Sequence, residues 1–90
     1  MSEQELTEKI RDYILVIYNA EYNGLLSVTK TDTEYIFRIG LPSYMSPTVM
    51  CGNFETDDEF LEYIYSEVRT RNYMKVYMYR INKLVDPKED

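Results

Sequence analysis

The chain reads as one α+β domain. It is expected to be a two-layer sandwich, with a mostly antiparallel sheet of three or four strands and two helices on one face. Three observations lead there. Two capping boxes, Ser2-Glu3-Gln4-Glu5 and Thr56-Asp57-Asp58-Glu59, each open an apolar stripe at helical spacing. Between them lie runs rich in β-branched and aromatic residues that alternate in polarity. The resulting order, helix, strand, strand, short strand, helix, strand, does not alternate strictly, which speaks against a parallel, doubly wound sheet.

The first helix follows from Leu6, Ile10, Tyr13, Ile14 and Ile17, which recur along one face. Glu3, Glu5 and Glu8 sit in its first turns, where the helix dipole favours negative charge. It is expected to run to about Glu21, with Asn23-Gly24 as a left-handed stop. Its last stretch, YILVIYNAEY, is apolar on nearly every side and should therefore pack on more than one face.

Leu25–Lys30 and Glu34–Gly40 read as two strands joined by Thr31-Asp32-Thr33. Tyr35, Phe37 and Ile39 form the core row of the second. Leu41–Pro47 carries two prolines and reads as a loop or edge segment. Thr48–Cys51 is a short third strand, closed by Gly52-Asn53. The second helix buries Phe60, Leu61, Ile64 and Val68, and runs to about Arg71. Tyr73–Ile81, YMKVYMYRI, then reads as the last strand. In period two, Met74, Val76 and Met78 face the helices while Tyr73, Lys75, Tyr77 and Tyr79 face water. Burying those phenols would require a hydrogen-bond partner for each, at roughly 1–3 kcal/mol for every one left unpaired. The domain is expected to span 1–85, with a charged tail at 86–90.

Composition narrows the function. The chain has 90 residues, with 16 acids against 10 bases, a net charge of −6, one cysteine and no histidine. A length of this order makes one small core. There is no membrane-length apolar run, and the polar start MSEQELTEK does not read as a secretory signal. With a single cysteine, this fits a reducing cytoplasm. Ten tyrosines and one alanine suggest an AT-rich genome, such as that of a low-GC bacterium or its phage. Net negative charge disfavours general binding to nucleic acid or to anionic membranes.

Without histidine, the commonest general base and metal ligand are missing, and Ser-His-Asp or Cys-His arrangements cannot form within the chain. No glycine-rich phosphate loop is present. Asp58 and Glu62, one helical turn apart, would offer a hard cation too few ligands. Cys51 has no base near it in sequence and reads as a half-buried thiol before a turn. No cofactor and no metal is expected, and the chain is not expected to be an enzyme.

What remains is binding. From Glu55 to Glu67 there are six acids and no base; from Arg69 to Lys83 there are five bases and no acid. Helix-dipole complementarity accounts for much of this. Two surfaces stand out as contact sites for another protein: an acidic patch of Glu55, Asp57, Asp58, Glu59 and Glu62, and a sheet face of Tyr73, Lys75, Tyr77 and Tyr79. The acidic patch suits a basic partner, such as a nucleic-acid-handling protein. Small acidic phage proteins that block nucleic-acid enzymes offer an analogy of class only. The expected role is a small regulator or inhibitor. The alternatives are single-stranded nucleic-acid binding on the tyrosine face, and a symmetric homodimer through that face or an edge strand.

Overall fold

The capping box at Ser2 closes completely. The Ser2 hydroxyl accepts from the N–H of Glu5 at 3.0 Å, and the Glu5 carboxylate accepts from the N–H of Ser2 at 2.8 Å. In a computed structural model, which describes residues 1–41 and 47–82, this cap starts α1 (Glu3–Tyr18). Leu6, Ile10 and Ile14 form its buried face. The helix stops earlier than the sequence suggests. The left-handed residue is Asn19, at φ 54°, and no glycine adopts a positive φ. Gly24 is needed for a different reason. A Cβ there would collide with the carbonyl oxygen of Gly40, with Ile81 and with the Tyr22 hydroxyl.

β1 (Leu25–Lys30) and β2 (Tyr35–Gly40) form the expected hairpin, with Lys30 opposite Tyr35 and Leu25 opposite Gly40. The turn works without glycine because the Thr31 hydroxyl accepts from the N–H groups of Thr33 and Glu34. β3 (Thr48–Gly52) pairs antiparallel with β2, giving a three-stranded sheet of order β1-β2-β3. Tyr35, Phe37 and Ile39 are buried, as the alternation predicts, and so are Leu26 and Val28 of β1. The other row, Leu25, Ser27, Thr29, Ile36, Arg38, Val49 and Cys51, lies on the opposite face and holds no fully buried residue. Cys51 is there, exposed rather than half-buried.

α2 (Asp57–Thr70) starts at Thr56, whose hydroxyl accepts from the N–H of Glu59 at 3.1 Å. Here the box is only half formed, since the Glu59 carboxylate takes the N–H of Glu55 instead. Phe60, Leu61, Ile64 and Val68 are buried.

The segment expected as the last strand is a helix, α3 (Asn72–Asn82). The chain leaves α2 through one extended residue, Arg71, at φ −88° and ψ 129°. Arg71 donates its N–H to Glu67 O and accepts from the N–H of Met74, so the joint serves both helices. Met74, Tyr77 and Met78 enter the core and Ile81 is half-buried, a stripe at i, i+3, i+4 and i+7. Val76, placed in the core row by the strand reading, is 48% exposed, and Tyr79 is 52% exposed. The same nine residues satisfy both periods over their first few positions. β-propensity of Tyr and Val pointed to the strand; packing against the core decides for the helix. The described residues thus form an α+β fold of three helices and three antiparallel strands. Among the described residues, all buried side chains belong to one cluster. The charged tail expected at 86–90, the three residues before it and positions 42–46 of the Leu41–Pro47 loop lie outside the described residues.

The two readings of 73–81 separate in a denaturation experiment. Met78→Ala should lower unfolding stability by about 2–5 kcal/mol, whereas Val76→Ala should change it by no more than about 0.5 kcal/mol. A core strand would make both costly.

Candidate functional site

Of the acidic patch, Asp57 turns inward. Its carboxylate accepts from the Met1 amino group at 2.7 Å, from Lys30 Nζ at 3.2 Å and from the Tyr35 hydroxyl at 2.6 Å. The N-terminal ammonium, more than the other donors, holds this carboxyl well below the usual carboxylate range. The hydrogen bond to Asp57, together with burial, pushes the Tyr35 phenol up to about 12. Lys30 also donates its backbone N–H to Glu3 and sits 5.7 Å from the Tyr35 ring centre. Asp57 is thus a structural hub joining the chain start, β1, β2 and α2. It leaves Glu55, Asp58, Glu59 and Glu62 exposed, with Glu59 partly engaged by the Glu55 N–H.

The tyrosine face does not exist as a sheet face. Tyr77 is buried, with its hydroxyl 3.2 Å from the Thr48 hydroxyl. Tyr73 is half-buried and lies 5.5 Å from the Tyr77 ring. Burial, with the Glu67 charge, pushes its phenol up to about 12. Lys75 and Tyr79 are exposed, but on the outer side of α3 beside Val76 and Arg80. With Tyr77 inside and Tyr73 half inside, three phenols cannot form a row on which bases would stack.

A third surface, outside both expected patches, is the seam of α1 and α2. The two helices run parallel, since Met1 meets Asp57, Tyr13 meets Tyr65, and the Tyr18 hydroxyl donates to Val68 O at 2.9 Å. Tyr13 and Tyr65 stack at 4.2 Å with ring planes 20° apart. The Tyr13 hydroxyl accepts from Arg69 at 2.6 Å. Burial pushes the Tyr65 phenol up, with Tyr13, Asp12 and Asp58 nearby reinforcing it. Around the stack lies a shallow depression of about 260 Å³ lined by Lys9, Asp12, Tyr13, Val16 and Tyr65. Val16 is 77% exposed, and its neighbours Leu15 and Ile17 are 43% and 40% exposed. The apolar end of α1, expected to be packed on more than one face, is open instead.

A signal for this surface was present in the spacing. Asp58, Glu62, Tyr65 and Arg69 recur at four, three and four residues, and so do Glu5, Lys9, Asp12 and Val16. Each helix therefore carries a second stripe beside its core stripe. Among the described residues no group of three or more His, Cys, Asp or Glu side chains is arranged to hold a metal ion, and no helix is long and apolar enough to cross a membrane. No protein-family model matches the chain, and neither the curated proteins nor the solved structures contain a match.

Because Asp57 is bound as an anion, its contribution to stability should be present above the unfolded carboxyl value and lost as pH falls through the lower, folded one. Asp57→Asn should cost about 1–2 kcal/mol at neutral pH. The gap from wild type should hold down to about pH 4 and shrink below it, as read from urea midpoints at successive pH values.

Proposed function

We propose that this chain is a non-enzymatic module that acts by binding another protein, as a small regulator or inhibitor, through the outer seam of α1 and α2. The carrying observation is Val16, 77% exposed, beside the stacked Tyr13–Tyr65 pair. Leu15 and Ile17, 43% and 40% exposed, precede and follow it but project to other sides of the helix, so Val16 and the two rings form the apolar centre of this face. Full burial of a side chain such as Val or Leu is worth roughly 1.5–3 kcal/mol, which an occupant of this face would recover. Stacked tyrosines supply large contact area at small entropic cost.

The charges around this centre shape the partner. Asp58 and Glu62 border one end, and Arg69 borders the other. An occupant therefore has to present a cation towards the first end and a carboxylate towards the second. This retains Asp58 and Glu62 of the acidic patch and supplies the apolar centre that the patch lacks.

Affinity capture from cell lysate tests the surface. Val16→Asp should abolish retention of partners that wild type holds, while Val76→Asp, on the outer side of α3, should leave retention unchanged. Equal retention by wild type and Val16→Asp would move the docking site elsewhere.

A further inference from the structure

We infer that the occupant of the α1–α2 seam is a second copy of this chain, related by a two-fold axis that crosses both helices near Tyr13 and Tyr65. The inference rests on the docking surface proposed above and names its partner. Its basis is the order of groups along α2. Glu62 lies three residues before Tyr65 and Arg69 lies four after it, on the same stripe. An axis in the plane of the face, perpendicular to the helices, reverses the direction of each helix and lays it against its own copy. Tyr65 then faces Tyr65, while Glu62 of each copy faces Arg69 of the other. The single stripe supplies both halves of two ion pairs, as an isologous contact requires.

The same operation works on α1. Lys9 and Val16 lie four residues before and three after Tyr13. Lys9 of one copy therefore comes over Val16 of the other, where its aliphatic stem covers the valine and its ammonium remains in water. The parallel run of α1 and α2 lets one axis satisfy both helices at once. One like-charge contact results, because Asp12 lies close to the axis and approaches its own symmetry mate.

Arg69 donates to the Tyr13 hydroxyl through a single nitrogen, Nη1, and forms no ion pair among the described residues. Its guanidinium retains donors for a carboxylate of the other copy. Glu62 is exposed and likewise forms no ion pair among the described residues. The net charge of −6 on each copy opposes approach at long range, so the association should be examined near physiological salt, where the screening length is about 8 Å.

Sedimentation of the purified chain from micromolar to submillimolar concentration should show a monomer–dimer equilibrium. Glu62→Arg and Arg69→Glu should each weaken it by about tenfold or more, and the double variant should restore it to within a few-fold of wild type, since both ion pairs re-form with reversed sign. Val16→Asp should give monomer with an unchanged circular dichroism spectrum, and Asp12→Asn should tighten the dimer. A chain that stays monomeric throughout overturns the dimer; the docking reading then survives only if lysate capture still depends on Val16. A dimer indifferent to Val16→Asp and to the charge reversals overturns the seam as its interface and removes the support for both readings.

Discussion

Phe37, at the centre of β2, is fully buried, and every other buried side chain belongs to the same cluster. That constraint governs the rest of the molecule. Ninety residues sustain one core. α1, α2 and α3 all contribute side chains to it, and among the described residues the opposite row of the sheet holds no fully buried side chain. What lies outside the cluster, the opposite sheet row, the outer side of α3 and the seam of α1 and α2, is surface by default. The functional question reduces to which surface is least content with water.

The three tyrosines buried in the core each have a partner for the hydroxyl, whereas half-buried Tyr73 keeps a buried hydroxyl with no partner among the described residues. Tyr22 donates to Gly40 O at 2.7 Å, Tyr35 to Asp57, and Tyr77 meets the Thr48 hydroxyl. These bonds also locate elements. The Tyr22 bond holds the segment after α1 against the end of β2, where Gly24 permits the close approach. The Tyr35 bond ties the hairpin to the first turn of α2, and Phe60 stacks on the same ring at 4.5 Å. A buried hydroxyl with a partner contributes direction as well as stability, because it accepts only one geometry. Charges near these bonds are used in the same way, and Asp57 is the clearest case of an acid that looks available in sequence but serves the fold.

Against that background the seam of α1 and α2 is distinctive. Its tyrosines stack on each other rather than entering the core, and its valine is largely in water. Opposite charges stand at opposite ends of one α2 stripe. Surfaces that merely keep a protein soluble intersperse the two signs. The outer side of α3, with Lys75, Val76, Tyr79 and Arg80, has cations and apolar groups but no internal complement. The difference lies in arrangement rather than in the amount of apolar or charged area.

Sequence alone determined the features whose cause is local. The starts of α1 and α2, the β1–β2 hairpin, the inward row of Tyr35, Phe37 and Ile39 and the core stripe of α2 follow from hydrogen bonds and periodicities that span a few residues. Tertiary structure decided the rest. YMKVYMYRI carries a two-residue and a 3.6-residue pattern together, and only contact with the core, begun by the single extended residue Arg71, selects the helix. Asp57 looks like a surface acid in the sequence because its partners Met1, Lys30 and Tyr35 are far from it along the chain. The second stripes of α1 and α2 were each legible, but nothing in either says that the two helices run parallel and stack Tyr13 on Tyr65. That adjacency is a long-range contact, and the binding surface exists only through it.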